Sequence, residues 1–216
     1  PMKKAYTLLI FDWDGTLMDS TGQIVASFQA AIAACQLPAR DDARIRQLIG
    51  LGIHEAMASL YPELPTSQVM GMLAQYRSAY LAPSNNQVLY PGVLDMLHAL
   101  KAQGYELAVA TGKSRVGLNR VLEETGLRDF FVATRTADEC TSKPAPDMVN
   151  EILWQTTTLP EQALVIGDTD YDLLMAKSAG VDAVAVLGGA HPLERLQAAQ
   201  PLTVLNAAVD LPAWLR

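Results

Sequence analysis

The apolar positions change their spacing twice along the chain. Leu8-Leu9-Ile10-Phe11 is an unbroken apolar run of strand length, and the string Asp12-Trp13-Asp14-Gly15-Thr16 follows it directly. Such a run suits a strand buried on both faces that ends where the polar residues begin. Beyond it, Ile24, Phe28, Ile32 and Cys35 recur at about one helical turn, and Leu37-Pro38 is expected to stop that helix. Asp41 and Asp42 are placed to cap a short helix carrying Ile45, Leu48 and Ile49, while Ile53, Met57 and Leu60 mark the next. Thr66 or Ser67 opens another, with Val69, Leu73, Tyr76 and Tyr80 on one face, and the turn-rich Ala82-Pro83-Ser84-Asn85-Asn86 closes the block. From about residue 17 to residue 87 the pattern is helix and loop alone.

The pattern then alternates. Val93, Leu97 and Leu100 lie on a helix ended by Gly104, residues 106–110 read as a strand, and Leu118, Val121 and Leu122 belong to a helix ended by Gly126. Residues 130–133, 163–166, 183–187 and 203–205 read as further strands, with helices near 146–156, 170–178 and 192–199. Strands separated by crossover helices imply a parallel sheet covered on both faces. The expected fold is α/β: an open parallel sheet with helices on both faces, built from residues 1–16 and 88–216, plus a small α-helical cap inserted over 17–87.

Composition narrows the partners. A chain of 216 residues, half of them apolar, can bury a full core. Sixteen basic against twenty-three acidic side chains give a net charge of −7, which argues against nucleic acid or an anionic membrane as partner. Apolar runs such as 6–11 and 183–187 are too short to span a bilayer and no basic-then-apolar leader opens the chain, so a soluble cytoplasmic protein is expected; Pro1 before Met2 is given no function. Cys35 and Cys140 form no CxxC pair and are expected to be reduced, buried thiols. Monomer and homodimer are both compatible with the pattern.

Four strings carry the candidate chemistry: Asp12-Trp13-Asp14-Gly15-Thr16, Thr111-Gly112-Lys113, Lys143-Pro144 and Gly167-Asp168-Thr169-Asp170-Tyr171-Asp172. Three of them fall just beyond strand carboxyl ends, the face on which open parallel sheets bind ligands, and Lys143 precedes a helix that prolines initiate. Each residue type suits one task on a phosphate ester. Asp12 is a carboxylate able to attack phosphorus, and Asp14 is placed to protonate the leaving oxygen and later take a proton from water. Two acids beside a phosphate dianion require a divalent cation and a lysine. Asp12 and Asp168 supply hard oxygen ligands suited to Mg2+, Lys143 a compact positive charge, and Thr111 and Gly112 neutral donors for phosphoryl oxygens. Asp172 is placed to orient the metal's waters or Lys143 from behind.

Taken singly, each string has an ordinary structural use. Asp-x-Asp-Gly is a common turn, Lys143 would serve as a solvated loop lysine, and residues 168–172 would serve as an acidic helix N-terminus. A calcium loop is excluded because Leu17 stands where its glycine belongs and Gln23 where its bidentate glutamate belongs. A nucleotide P-loop fails at Leu107, which replaces its first glycine. Only the joint order of the strings on strand ends outweighs the ordinary uses.

That joint pattern resembles the haloacid dehalogenase superfamily, in the subgroup with a helical cap after the first strand of a Rossmann-like core, and especially its phosphoglycolate-phosphatase-like members. The resemblance covers nearly the whole chain. It implies Asp12 as nucleophile, Asp14 as general acid/base, Thr111 and Lys143 as catalytic phosphoryl contacts, and Mg2+ held by Asp12, the Asp14 carbonyl and Asp168. Asp170 has no role in it beyond an alternative acidic contact. The resemblance implies a phosphatase acting on a small phosphorylated metabolite, phosphoglycolate-like or a sugar phosphate. Asp14 argues against the dehalogenase branch, and the absence of any lysine between Lys4 and Lys101 against the imine-forming phosphonate branch. A β-phosphoglucomutase-like mutase is the alternative, disfavoured by Gly167 before Asp168; a catalytically retired binding protein is the other. The cap should choose the substrate. Gly50-Leu51-Gly52 is expected over the site, flanked by Arg46, Gln47 and His54, with Arg46, His54, Gly112 and Lys113 as substrate contacts beside Lys143 and Thr111; Arg115 is a further candidate.

Overall fold

The computed structural model describes residues 5–82 and 87–216; Pro1-Met2 and residues 83–86 of the turn-rich stretch lie outside the described residues. In chain order the elements are β1 (Leu8–Phe11), β2 (Met18–Asp19), α1 (Thr21–Ala34), α2 (Asp42–Arg46), α3 (Ile53–Leu60), α4 (Thr66–Tyr80), β3 (Val88–Leu89), α5 (Val93–Ala102) and β4 (Glu106–Thr111). They continue with α6 (Arg115–Glu124), β5 (Ala133–Thr136), α7 (Asp147–Thr156), β6 (Ala163–Gly167), α8 (Asp170–Ser178), β7 (Asp182–Val186), α9 (Leu193–Ala198), β8 (Val204–Leu205) and α10 (Leu211–Leu215). Among the described residues, no helix is long and apolar enough to cross a membrane.

Six strands form a parallel sheet in the order β5-β4-β1-β6-β7-β8. The two-residue period of a strand explains why its central members are continuously apolar. Leu9 and Phe11 of β1, Leu107 and Val109 of β4, and Leu164 and Ile166 of β6 point into one core; Leu8, Ile10, Ala108, Ala110, Ala163 and Val165 point into the other. Both faces are covered, so β1 has no solvent side on which a polar residue would be tolerated. Chain order reverses at β1, with β4 on one side and β6 on the other, and this switch point opens a crevice beyond the strand carboxyl ends.

Helices α1 to α4 form the inserted cap, with its own core of Ile24, Phe28, Ile45, Met57, Met72, Leu73 and their neighbours. Here the structure differs from the helix-and-loop expectation: Met18 pairs with Leu89 and Asp19 with Val88 in an antiparallel ribbon at the base of the cap. Two-residue strands are too short for periodicity to reveal. Helix α1 ends at Ala34, before Leu37-Pro38; Gln36 turns the chain with a left-handed φ of 53°, so the proline follows the stop rather than causing it. Asp41 occupies the N-cap of α2, but its side chain makes no capping hydrogen bond.

Two further corrections concern the sheet. The strand expected over 130–133 is β5, which starts only at Ala133. Phe130 and Phe131 are instead loop residues held by ring contacts, Phe131 edge-on to Trp13 at 6.3 Å and Phe130 edge-on to His98 at 5.0 Å. Pairing with β4 falls to Ala133-Thr134-Arg135-Thr136, an edge strand whose mixed polarity masked it. On the other side, β7 begins at Asp182 and stops at Val186, one residue earlier than expected at both ends. Cys35 and Cys140 are free thiols, and they are half-buried rather than buried.

Candidate active site

Asp12 is the first residue past β1, and its amide donates to the Ile166 carbonyl of β6 at 3.0 Å, so the sheet ladder itself sets its position. Its side chain is buried. Oδ1 accepts from the Trp13 amide at 2.7 Å and pairs with Lys143 Nζ at 2.9 Å. Oδ2 is buried and has no hydrogen-bond partner among the described residues. Lys143, also buried, donates to Asp172 Oδ1 at 2.6 Å, and Asp172 Oδ2 accepts from the Thr169 hydroxyl and amide at 2.8 and 3.2 Å. Thr169 and Asp172 form a reciprocal capping box on α8, and that cap orients the lysine's partner.

Asp168 follows β6 and is fully buried. Its Oδ1 accepts from the Thr16 hydroxyl at 3.0 Å and its Oδ2 from the Ala190 amide at 2.8 Å. Gly15, at a φ of 79°, runs so close to this carboxylate that a Cβ there would collide with it, so the position demands glycine twice over.

Carboxylate oxygens of Asp12, Asp168 and Asp172 lie within 4.8 Å of one another. Three carboxyls beside one ammonium amount to a formal excess of two negative charges in a space buried from bulk solvent. Burial, then the charge of Asp172, pushes the Asp12 carboxyl well above the usual carboxylate range in spite of Lys143. The same two causes push Asp168 up to about 6. Burial works against the Lys143 charge, but Asp12 and Asp172 outweigh it and hold the ammonium above the ordinary lysine value. A divalent cation fits this donor set, which offers hard oxygens and lacks two positive charges.

Asp14 accepts from the Ser20 hydroxyl at 2.6 Å and pairs with Lys113 Nζ at 3.4 Å. Lys113 also donates to the hydroxyl of Tyr80, on cap helix α4, at 2.6 Å. Burial opposes the Lys113 charge, and Asp14 with Tyr80 outweighs it, leaving the lysine above its ordinary value. The buried Thr111 ends β4, and its hydroxyl accepts from the Lys113 amide at 3.1 Å. Ser114 caps α6 by accepting from the Gly117 amide.

The cap loop lies against these strand ends. A Cβ on Gly112 would stand 2.6 Å from the carbonyl oxygens of both Gly50 and Leu51, so only glycine admits the loop this close. The Gly52 amide donates to Ser142 Oγ at 2.8 Å, beside Lys143. The Gln47 carbonyl accepts from Tyr171 OH at 2.7 Å and from His191 Nε2 at 3.0 Å. His191 Nδ1 accepts from the Asp170 amide at 3.0 Å, which places the imidazole proton on Nε2, and burial lowers its basicity. Asp170, an alternative acidic contact on sequence grounds, is engaged by Arg195 at 2.6 and 3.2 Å.

A cleft of about 390 Å³ runs from Asp12, Asp14, Thr111, Gly112 and Lys113 along the cap. The structure does not bring every expected contact to it. His54 is exposed on α3 and Arg46 half-buried at the end of α2, and neither lines the cleft; Leu48, Ile49 and Ile53 supply that side of it instead. Arg115 pairs with Glu139 at 2.7 Å and is held at β5 by Thr134. Sequence reasoning alone assigns no role to Thr16, Ser20, Tyr80, Gln87, Ser142 or His191. Thr16 and Ser142 sit inside or beside the candidate strings and are within its reach; His191 has only the preceding glycine pair to mark it.

A family model described as haloacid dehalogenase-like hydrolase matches residues 9–186. The probable phosphatase IndB of Dickeya dadantii is 35% identical over 205 residues, covering 92% of this chain and 89% of its own length. Phosphoglycolate phosphatase 1 of Pseudomonas aeruginosa is 30% identical over 211 residues, covering 94% of this chain and 78% of its own. The crystal structure of a hydrolase from Pseudomonas syringae superposes with a TM-score of 0.89 at 27% identity, covering 97% of each chain.

Proposed function

The chain belongs to the haloacid dehalogenase-like hydrolases, and from that premise we propose that it is a magnesium-dependent phosphatase of a small phosphomonoester, working through an aspartyl phosphate. The buried, unpartnered Asp12 Oδ2 carries this reading. It attacks phosphorus as the bond to the leaving alcohol oxygen breaks, and Asp14 gives that oxygen its proton. Water then attacks the aspartyl phosphate, Asp14 takes the water's proton, and inorganic phosphate leaves with Asp12 restored. Asp12, Asp168 and the Asp14 carbonyl would hold the magnesium ion, with Asp172 behind them, and the ion would supply positive charge to the phosphoryl oxygens.

The chain's own groups do the positioning. Lys143 occupies Asp12 Oδ1 and so leaves Oδ2 as the free oxygen. Thr111 and Gly112 line the cleft where phosphoryl oxygens would lie. The loop 50–52 over Gly112 keeps bulk water from the intermediate. The test is orthophosphate release from a panel of phosphomonoesters with magnesium, with Asp12→Asn as the blank. Release that stops in excess chelator and in the variant is expected; a variant turning over at the wild-type rate would remove Asp12 as nucleophile. Free phosphate, rather than transfer to a second hydroxyl, separates a phosphatase from a mutase.

A further inference from the structure

The cleft is larger and more apolar than a phosphoryl group with a two-carbon tail requires. Beyond its polar inner end, the cap side is a wall of Ile24, Phe28, Ile49, Leu73 and Tyr76. The charged residues along the remainder, Arg77, Arg120, Glu124 and Asp138, are exposed at the rim. A small carboxylate leaving group needs a desolvated cation beside it, and the one buried cation lining the cleft among the described residues, Lys113, is already shared between Asp14 and the Tyr80 hydroxyl. A volume of about 390 Å³ falls in the range of sites that enclose ring-sized ligands. The wall is also built for rings: Phe28 meets Tyr76 edge-on at 4.9 Å, and Tyr76 stacks on Tyr80 at 5.6 Å.

A polar relay interrupts the wall. Lys113 Nζ donates to Tyr80 OH at 2.6 Å, and that hydroxyl donates to Gln87 Oε1 at 2.8 Å. In this arrangement Gln87 Oε1 meets the hydroxyl proton. Gln87 Nε2 is then left as a buried donor without a partner among the described residues, on a side chain that lines the cleft. Buried donors in folded proteins are rarely left unmatched, and an acceptor on a ligand would match this one.

We propose that the site takes the phosphomonoester of an alcohol bearing a flat, uncharged ring with a carbonyl or ring-nitrogen acceptor. The ring lies along Phe28 and Tyr76, and the acceptor takes the Gln87 Nε2 hydrogen bond. This rests on the reading of Asp12 as phosphoryl acceptor, and the experiment separates the two. Wild-type kcat/KM is measured with magnesium for nucleoside 5′-monophosphates (ring with acceptors), benzyl phosphate (ring without), hexyl phosphate (no ring) and phosphoglycolate (small and charged). The expected order is nucleotides first, then benzyl, then hexyl phosphate and phosphoglycolate. In Gln87→Leu the ratio of nucleotide to benzyl phosphate kcat/KM should fall about tenfold, chiefly through KM, as for one lost hydrogen bond. Tyr80→Phe, which frees the amide to turn, should lower the same ratio. Preference for benzyl phosphate, hexyl phosphate or phosphoglycolate over the nucleotides, or ratios that neither variant changes, would overturn the proposal and leave the phosphatase standing. No release from any ester would overturn the phosphatase reading itself.

Discussion

Asp168, fully buried, has a folded pKa of about 6, above that of an unfolded aspartate. Its contribution to stability is therefore complete below the unfolded value and is lost as pH rises through about 6. Asp12 shifts in the same direction for the same reason, burial among like charges. A cation competes with those protons. The rise in Tm that magnesium produces should accordingly be larger at pH 8 than at pH 5.5 in differential scanning fluorimetry; an equal rise at both would place the metal elsewhere. At this scale the sequence is legible wherever a charged residue follows a buried strand, because Asp12 and Asp168 each stand out against an apolar run. His191 is not legible, since its partners are backbone groups brought in from distant elements, and Gln87 is not, since nothing in the turn-rich stretch before it marks a contact with Tyr80.

Between residue and fold, the loop 50–52 and the end of β4 form one contact surface. Gly112 is its narrowest point, and Gly112→Ala puts a methyl against two carbonyl oxygens that cannot turn aside without moving the loop. The variant should keep the core fold and lose about tenfold or more in kcat/KM, since roughly an ångström of misplacement near the chemistry costs that much or more. Wild-type kinetics in the variant would show that the loop stands off during turnover. Elements are legible in proportion to their length and regularity. Helices α4 and α8 start at the residues where polar groups mark an opening, whereas β2 and β3, two residues each, have no period to read. At β5 the apolar pair Phe130-Phe131 draws the expected strand too early, because apolar content reports burial and not backbone pairing.

For the whole molecule, hydrogen bonds from Gly52 and Gln47 join cap and core, and Ala190 of the core packs into the cap's apolar cluster. Gln47 is the meeting point with α8 and the loop after β7, since its carbonyl takes both Tyr171 OH and His191 Nε2. Tyr171→Phe removes one of the two and should raise KM about fivefold with little change in Tm, as for one exchangeable hydrogen bond. A lowered Tm with unchanged KM would make the contact structural only. The α/β alternation and the position of the insert can be read from periodicity, while the closeness of cap to core cannot, because glycine and carbonyl contacts leave no apolar signature.

The ribbon of Met18–Asp19 and Val88–Leu89 bears on how such a chain changes over generations. Its paired strands set the two crossings between core and cap side by side. A recombination event that replaced the intervening segment would need to match only those two junctions, leaving the sheet, Asp12 and Lys143 untouched. On the proposed function, the choice of alcohol would be heritable apart from Asp12 and Lys143, provided a new cap restores the Ser20 contact to Asp14, and a graft of another cap between Asp19 and Val88 is the laboratory form of that exchange.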